Sequence, residues 1–227
     1  MKPKQKQLIL IGIVVVIALV AVVGLIAVSG RDTAPAVAYA EFQQTRGEDG
    51  AFRLGNPNAP VTIIEFADFA CPACQVYFSE IQRFKNEYVQ TGRAQFEFRM
   101  FPTAGGALSV FTGKVAECAD QQQPGSFWRA YNLLYELAQT GRYTEDVGRT
   151  VAQELGLNYS QLLTCTNTAE QVNIDTNFGR NRGVTGTPAI MIRYNNGEAT
   201  WIVHNGVTYN RGGVPFNILA AVVEANS

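Results

Sequence analysis

Residues 61–69 read VTIIEFADF, an almost unbroken apolar run, and two positions later comes Cys71-Pro72-Ala73-Cys74. A run of this kind fits a strand buried on both faces in a mainly parallel sheet. The segment that follows, from Pro72 to about Gln90, sets Cys74, Phe78, Ile81, Phe84 and Tyr88 at spacings of three and four, a helix with one apolar face that stops at Thr91-Gly92. A strand running straight into a helix, with two cysteines one turn apart at the junction, leaves few architectures open.

The rest of the chain narrows them further. AQFEFRMF alternates as a second strand, and a mainly helical region runs from about Ala107 to Arg180. Within it Asn158 with Gln161, and Asn167 with Glu170, each resemble a capping box at a helix start. PAIMIRY and ATWIVHN flank Asn195-Asn196-Gly197, the pattern of a β-hairpin, and PFNILAAVVEA closes the chain as a helix. Strand, helix, strand, helical insertion, hairpin, helix is a thioredoxin-like α/β order, with the insertion at about 104–182 and the whole domain expected over 51–227.

Before that domain lies a different kind of sequence. From Leu8 to Val28 every residue is apolar or Gly, and at about 1.5 Å per residue the run is long enough to cross a bilayer. Lys2, Lys4 and Lys6 precede it, so residues 1–7 are expected to stay cytoplasmic, 8–28 to form an uncleaved transmembrane anchor and 29–50 to act as a tether. Ala38-Tyr39-Ala40 offers the alternative of a cleaved signal peptide. Either way the domain is expected outside the cytoplasm, held at the cell membrane by a single pass in the first case. The charge balance, 18 basic against 19 acidic residues, carries no nucleic-acid signature.

The cysteine pair admits three chemistries. A zinc site needs further ligands at short spacing, whereas Cys118 and Cys165 stand alone and the single histidine, His204, is far away in sequence, so no metal is expected. A structural staple across one helical turn closes too short a loop to restrict the unfolded chain much. A reactive disulfide fits best. Pro72 suits the first helical position, and the N–H groups of the first turn together with the helix dipole favour a Cys71 thiolate. Cys74, a turn further in, is then the resolving thiol. Glu65 lies on the apolar strand six residues before Cys71, where burial raises a carboxyl's pKa and suits it to exchange protons with the pair; a partnership with a basic residue is the other reading. Gly186-Thr187-Pro188 opens a strand with a proline that cannot donate to the ladder, a turn suited to a cis bond.

LGNPNAPVTIIEFADFACPAC, AECADQQQPGSFWRAYNLLYE and GVTGTPAIMI together resemble the DsbA-type disulfide oxidoreductases, in particular their membrane-anchored or lipid-anchored branch. The resemblance implies a thioredoxin domain with an inserted helical domain. It implies that Cys71 is the nucleophile, that Glu65 assists proton transfer, and that Thr187-Pro188 holds an extended substrate segment. The family's strongest oxidants carry Pro-His between the cysteines, and Pro72-Ala73 here removes a possible cationic stabiliser of the thiolate. Related isomerases carry an N-terminal dimerisation domain for which residues 31–50 are too few, so a monomeric oxidase is expected. Its implied partners are exported substrate proteins and a membrane reoxidant of the DsbB or vitamin K epoxide reductase-like type, with no bound cofactor. Family members with cysteines at similar places imply a structural disulfide between Cys118 and Cys165, the alternative being two buried, inert thiols. A second function class remains open: a non-catalytic thioredoxin-fold module that binds a peptide or partner and keeps its cysteine pair as a fixed disulfide.

Overall fold

The structure, a computed structural model, describes residues 42–226. Strands β1 (Gln44–Arg46), β2 (Phe52–Leu54), β3 (Val61–Ala67), β4 (Gln95–Met100), β5 (Ala189–Tyr194), β6 (Thr200–His204) and β7 (Val207–Tyr209) form one sheet in the order β1-β2-β4-β3-β5-β6-β7. The central pair β3–β4 is parallel, joined through helix α1 (Pro72–Phe84), and every other pairing is antiparallel. The insertion between β4 and β5 holds α2 (Ala107–Gln122), α3 (Ser126–Gln139), α4 (Val147–Leu155), α5 (Tyr159–Thr166) and α6 (Gln171–Arg180), and α7 (Phe216–Glu224) ends the domain. The thioredoxin-like α/β fold with a helical insertion is thus present.

β3 is buried along its whole length. Alternation along it turns Ile64 and Phe66 toward a small cluster with Phe101, Val184 and Met191, and Ile63 and Ala67 toward the main core beneath α1 and α3. β4 divides in the same way. Phe96 and Phe98 join the rings of Phe69, Phe127, Trp128 and Tyr131 in the main core, whereas Glu97 and Arg99 sit in a charged network. There the buried Glu97 carboxylate accepts from Arg53 Nε at 2.7 Å, Arg99 Nε at 2.7 Å and Arg193 Nη1 at 2.7 Å. Burial pushes Glu97 up, but the Arg99, Arg193 and Arg53 charges outweigh it and hold the carboxyl below its ordinary value.

Several expectations change in detail. The helix from Pro72 runs regularly to Phe84 and then relaxes into a π-helical turn at Lys85–Val89. The stretch expected as tether is structured from residue 44, because Gln44–Arg46 pairs with Phe52–Leu54; three polar residues are too few to show a period of two. Asn158 caps α5 as expected, its side chain accepting from Gln161 N at 3.0 Å. Asn167 does not cap α6, which starts at Gln171. The Gln171 N–H instead donates to Glu117 Oε2 of α2 at 3.0 Å, a cap supplied by another helix. The Asn195-Asn196 turn, with φ of 46° and 61°, joins β5 to β6, and Asn205-Gly206, with φ of 49° and 78°, makes a second hairpin that adds β7. Among the described residues no helix is long and apolar enough to cross a membrane; the anchor expected at 8–28 lies outside the described residues.

Cys118 of α2 and Cys165 of α5 are joined by a disulfide with Cα atoms 5.8 Å apart, across a sequence separation of 47. On the chain-entropy account a loop of that length stabilises the fold by roughly 4 kcal/mol. Replacing both residues with alanine is expected to lower the free energy of unfolding by about that amount, measured by urea denaturation of the oxidised proteins.

Candidate active site

β3 ends at Ala67, and a tight turn through Asp68, Phe69 and Ala70 delivers Cys71 to the N-cap position of α1. Cys71 has an extended backbone, φ −75° and ψ 119°, with Pro72 occupying the first helical position where no N–H is needed. The Cys71 N–H donates to Asp68 O at 3.0 Å, and its carbonyl accepts from Gln75 N at 3.0 Å. Pro72 and Ala73 are exposed.

The Thr187-Pro188 bond is cis, and Cys71 Sγ lies 3.4 Å from Thr187 O as its hydrogen-bond donor. The expected nucleophile and the expected substrate-holding turn therefore touch. Beside them runs a groove of about 680 Å³ lined in part by Ala73, Val76, Tyr77, Pro188 and Gly213. Val76 is 79% exposed there. Tyr77 ties the groove wall to the sheet end, since its hydroxyl donates to Val214 O at 2.7 Å.

Cys74 is fully buried. Burial pushes its thiol pKa up, the Glu65 charge adds to the rise, and hydrogen bonds from the Asp68 backbone and the Thr187 side chain oppose it. Cys71 and Cys74 are both thiols in this structure. Glu65, also fully buried, is raised to about 7, chiefly by burial, with the Lys85 charge and the Tyr131 hydroxyl acting against the rise. Tyr131 Oη donates to Glu65 Oε2 at 3.4 Å, and Oε1 has no hydrogen-bond partner among the described residues.

The structure thus gathers Cys71, Cys74, Glu65, Thr187 and Pro188 at one end of the sheet. Cys118 and Cys165 lie apart in the insertion, and His204 is on β6. No group of three or more His, Cys, Asp or Glu able to hold a metal occurs among the described residues.

A second buried carboxyl at the site escaped sequence reasoning. Asp68 is fully buried, and its Oδ2 accepts from Thr103 N at 2.7 Å, Ala104 N at 2.8 Å and Ser109 Oγ at 2.9 Å, while Oδ1 accepts from Ala70 N at 2.9 Å. Thr103 Oγ1 in turn lies 2.6 Å from Thr187 Oγ1. Asp68 therefore links the turn that carries Cys71, the loop after β4 and the cis-proline loop. The available signal was a lone carboxylate at the end of an apolar strand, three residues before Cys71.

The sequence model of the thioredoxin family matches residues 48–200. The chain belongs to the thioredoxin family. It is 28% identical over 156 residues to the probable disulfide bond formation protein D of Bacillus anthracis, covering 63% of this chain and 69% of that one. Among solved structures it resembles Wolbachia pipientis alpha-DsbA1, with TM-score 0.63, 20% identity and coverage of 78% and 90% of the two chains. It also resembles oxidised BdbD from Bacillus subtilis, with TM-score 0.60, 22% identity and coverage of 77% and 91%.

Two outcomes test this thioredoxin-family site. Replacing Asp68 with alanine strands four donors around Cys71 and is expected to cost about 2–3 kcal/mol of stability in thermal or urea melts, some of those donors being within reach of water. For Glu65, the folded value of about 7 stands above the ordinary 4.5. The group therefore costs nothing when both states are protonated, and its cost grows as pH rises from the ordinary value and levels off above the folded one. Its side-chain carboxyl carbon is expected to titrate by NMR with a midpoint of about 7; a midpoint at the ordinary carboxyl value would reject the buried, raised carboxyl.

Proposed function

We propose that this chain is a thiol-disulfide oxidoreductase that introduces disulfides into exported proteins by exchange through Cys71 and Cys74, acting outside the cytoplasm from an N-terminal membrane anchor. The observation that carries this reading is the contact between Cys71 and the cis-proline loop. Cys71 sits at a helix N-terminus with its sulfur 3.4 Å from Thr187 O, at the side of an apolar groove, while Cys74 is shielded one turn further in. The curated relative from Bacillus anthracis bears the name of a disulfide bond formation protein, which is the same chemistry.

The geometry supports the following reaction. A substrate thiolate attacks Sγ of Cys71 in the oxidised pair, the S–S bond to Cys74 breaks, and Cys74 leaves as a thiolate that takes up a proton. A second substrate thiolate then attacks the substrate sulfur of the mixed disulfide and releases Cys71. Two electrons have passed from the substrate to the pair, and a membrane reoxidant of the DsbB or vitamin K epoxide reductase-like type would take them on. Thr187 presents backbone beside the sulfur, where an extended substrate segment can add as a short strand. Glu65, buried on the strand beneath α1, is suited to exchange a proton with Cys74. Oxidation rather than isomerisation, and action as a monomer, are part of this proposal. The competing reading, a binding module with a fixed disulfide, gives no role to a buried carboxyl raised to about 7 beside the pair.

Replacing Cys74 with serine is expected to accumulate mixed disulfides with substrate proteins through Cys71, because the adduct loses its internal route of escape. Mass spectrometry of the trapped species checks it. Adducts carried by another cysteine, or none at all with a reactive thiol substrate, would sink the assignment.

A further inference from the structure

The loop after β4 runs beside the turn that carries Cys71. The Phe101 N–H donates to Ala67 O at 2.9 Å, and the next residue, Pro102, has no N–H to place. The backbone N–H groups of Thr103 and Ala104 are then taken by Asp68 Oδ2, at 2.7 and 2.8 Å. With its backbone held, the Thr103 side chain reaches the cis-proline loop, where its Oγ1 lies 2.6 Å from Thr187 Oγ1. Thr187 in turn meets both members of the cysteine pair. Its carbonyl accepts from Cys71 Sγ at 3.4 Å, and its hydroxyl hydrogen-bonds the Cys74 side chain, which opposes the rise of that thiol's pKa.

A hydroxyl has one hydrogen and two lone pairs, and this decides how the two threonines act together. Thr187 Oγ1 stands between Thr103 Oγ1 and the Cys74 sulfur. When Cys74 is a thiol, its S–H can donate to Thr187. When the sulfur carries a negative charge, the Thr187 hydrogen must turn to it, and Thr187 then offers only lone pairs to its other neighbour. Either threonine is able to donate across the 2.6 Å contact. Among the described residues Thr103 Oγ1 has no other hydrogen-bond partner. Thr103 is also exposed, so water can serve its lone pairs while its hydrogen points at Thr187. Two hydroxyls in series polarise one another and strengthen the donor that faces the charge.

We propose that Thr103 is a positioning residue for disulfide exchange: its hydroxyl donates to Thr187 Oγ1 and so directs the Thr187 hydrogen at the Cys74 sulfur while that sulfur is negatively charged. The role rests on the reading of Cys71 and Cys74 as an exchanging pair given above. In the step concerned, a substrate thiolate attacks Cys71 Sγ and a new S–S bond forms there. The bond from Cys71 to Cys74 breaks and its electron pair stays on Cys74. The thiolate so formed accepts the Thr187 hydrogen bond before it takes up a proton, ultimately from water. The reverse step, in which the Cys74 thiolate attacks Cys71 Sγ and expels the substrate thiolate, passes through the same transition state. A group that stabilises charge only there speeds both directions equally and leaves their ratio unchanged.

The test follows two single-turnover rates with glutathione at one fixed pH. One is the attack of reduced glutathione on the oxidised Cys71–Cys74 pair; the other is the release of glutathione from a mixed disulfide on Cys71, trapped at acid pH and jumped to the working pH. T103V removes the hydroxyl and keeps the branched shape, T103A serves if T103V does not fold, and thermal melting checks both. Either variant is expected to slow both rates by the same factor, about threefold to tenfold, with the equilibrium constant between the internal and the mixed disulfide unchanged. T103S, which keeps the hydroxyl, is expected to recover the parent rates, and T103V should add no further loss in a T187V background. Unchanged rates in T103V, a loss in one direction only, a loss that T103S does not recover, or an equal loss in the T187V background would each overturn the role of Thr103. A parent pair that does not exchange with glutathione at all would overturn the reading of Cys71 and Cys74, and this role with it.

Discussion

The carboxylate of Asp68 is the interaction on which the arrangement around Cys71 depends. Three chain segments distant in sequence meet at this sulfur: the turn after β3, the loop after β4 and the cis-proline loop. Loops pack poorly on their own, since each exposes backbone donors that a dry interior cannot leave unpaired. Asp68 collects two such donors from residues 103 and 104, a hydroxyl from Ser109 and a donor from its own turn. The loop after β4 runs so close that a Cβ at Gly105 would stand 2.8 Å from the Ala70 Cβ and 2.5 Å from Ser109 Oγ, closer than real side chains approach. Glycine at 105 and the carboxylate at 68 are thus two halves of one close approach.

The two strands at the centre of the sheet handle buried charge in opposite ways. The Glu97 carboxylate meets several guanidinium groups with good geometry, so its charge is stabilised and its role is to fasten β2, β4 and β5. Glu65, on the adjacent strand, has among the described residues one weak donor and one unpartnered oxygen. A carboxylate with so few donors is not a fastener. It is a group kept close to the boundary between its charged and neutral forms, which suits proton exchange and costs stability.

Much of this arrangement was legible in the sequence because it follows local rules. The apolar run of β3, the proline after Cys71, the Asn195-Asn196 turn and the periodicity of α1 each rest on a few neighbouring residues. What escaped were features that depend on partners far along the chain. Asp68 shows as a carboxylate in a turn, but its donors come from residues 103 to 109. Lys85 reads as an ordinary lysine on a helix, and only packing by Phe96, Trp128 and Tyr131 buries its Nζ among aromatic rings. The start of α6 was misread for the same reason, since Glu117 supplies the hydrogen bond that Asn167 was expected to give. β1 and β2, three residues each, were too short for any periodic signal.

The bridge between Cys118 and Cys165 also fixes an order of events. Cys118 is 1% exposed once α2 is packed, and thiol-disulfide exchange needs an oxidant to reach the attacked sulfur. Cys165 is only half-buried, so an oxidant reaches that sulfur first, and the Cys118 thiol then closes the bridge from within the fold.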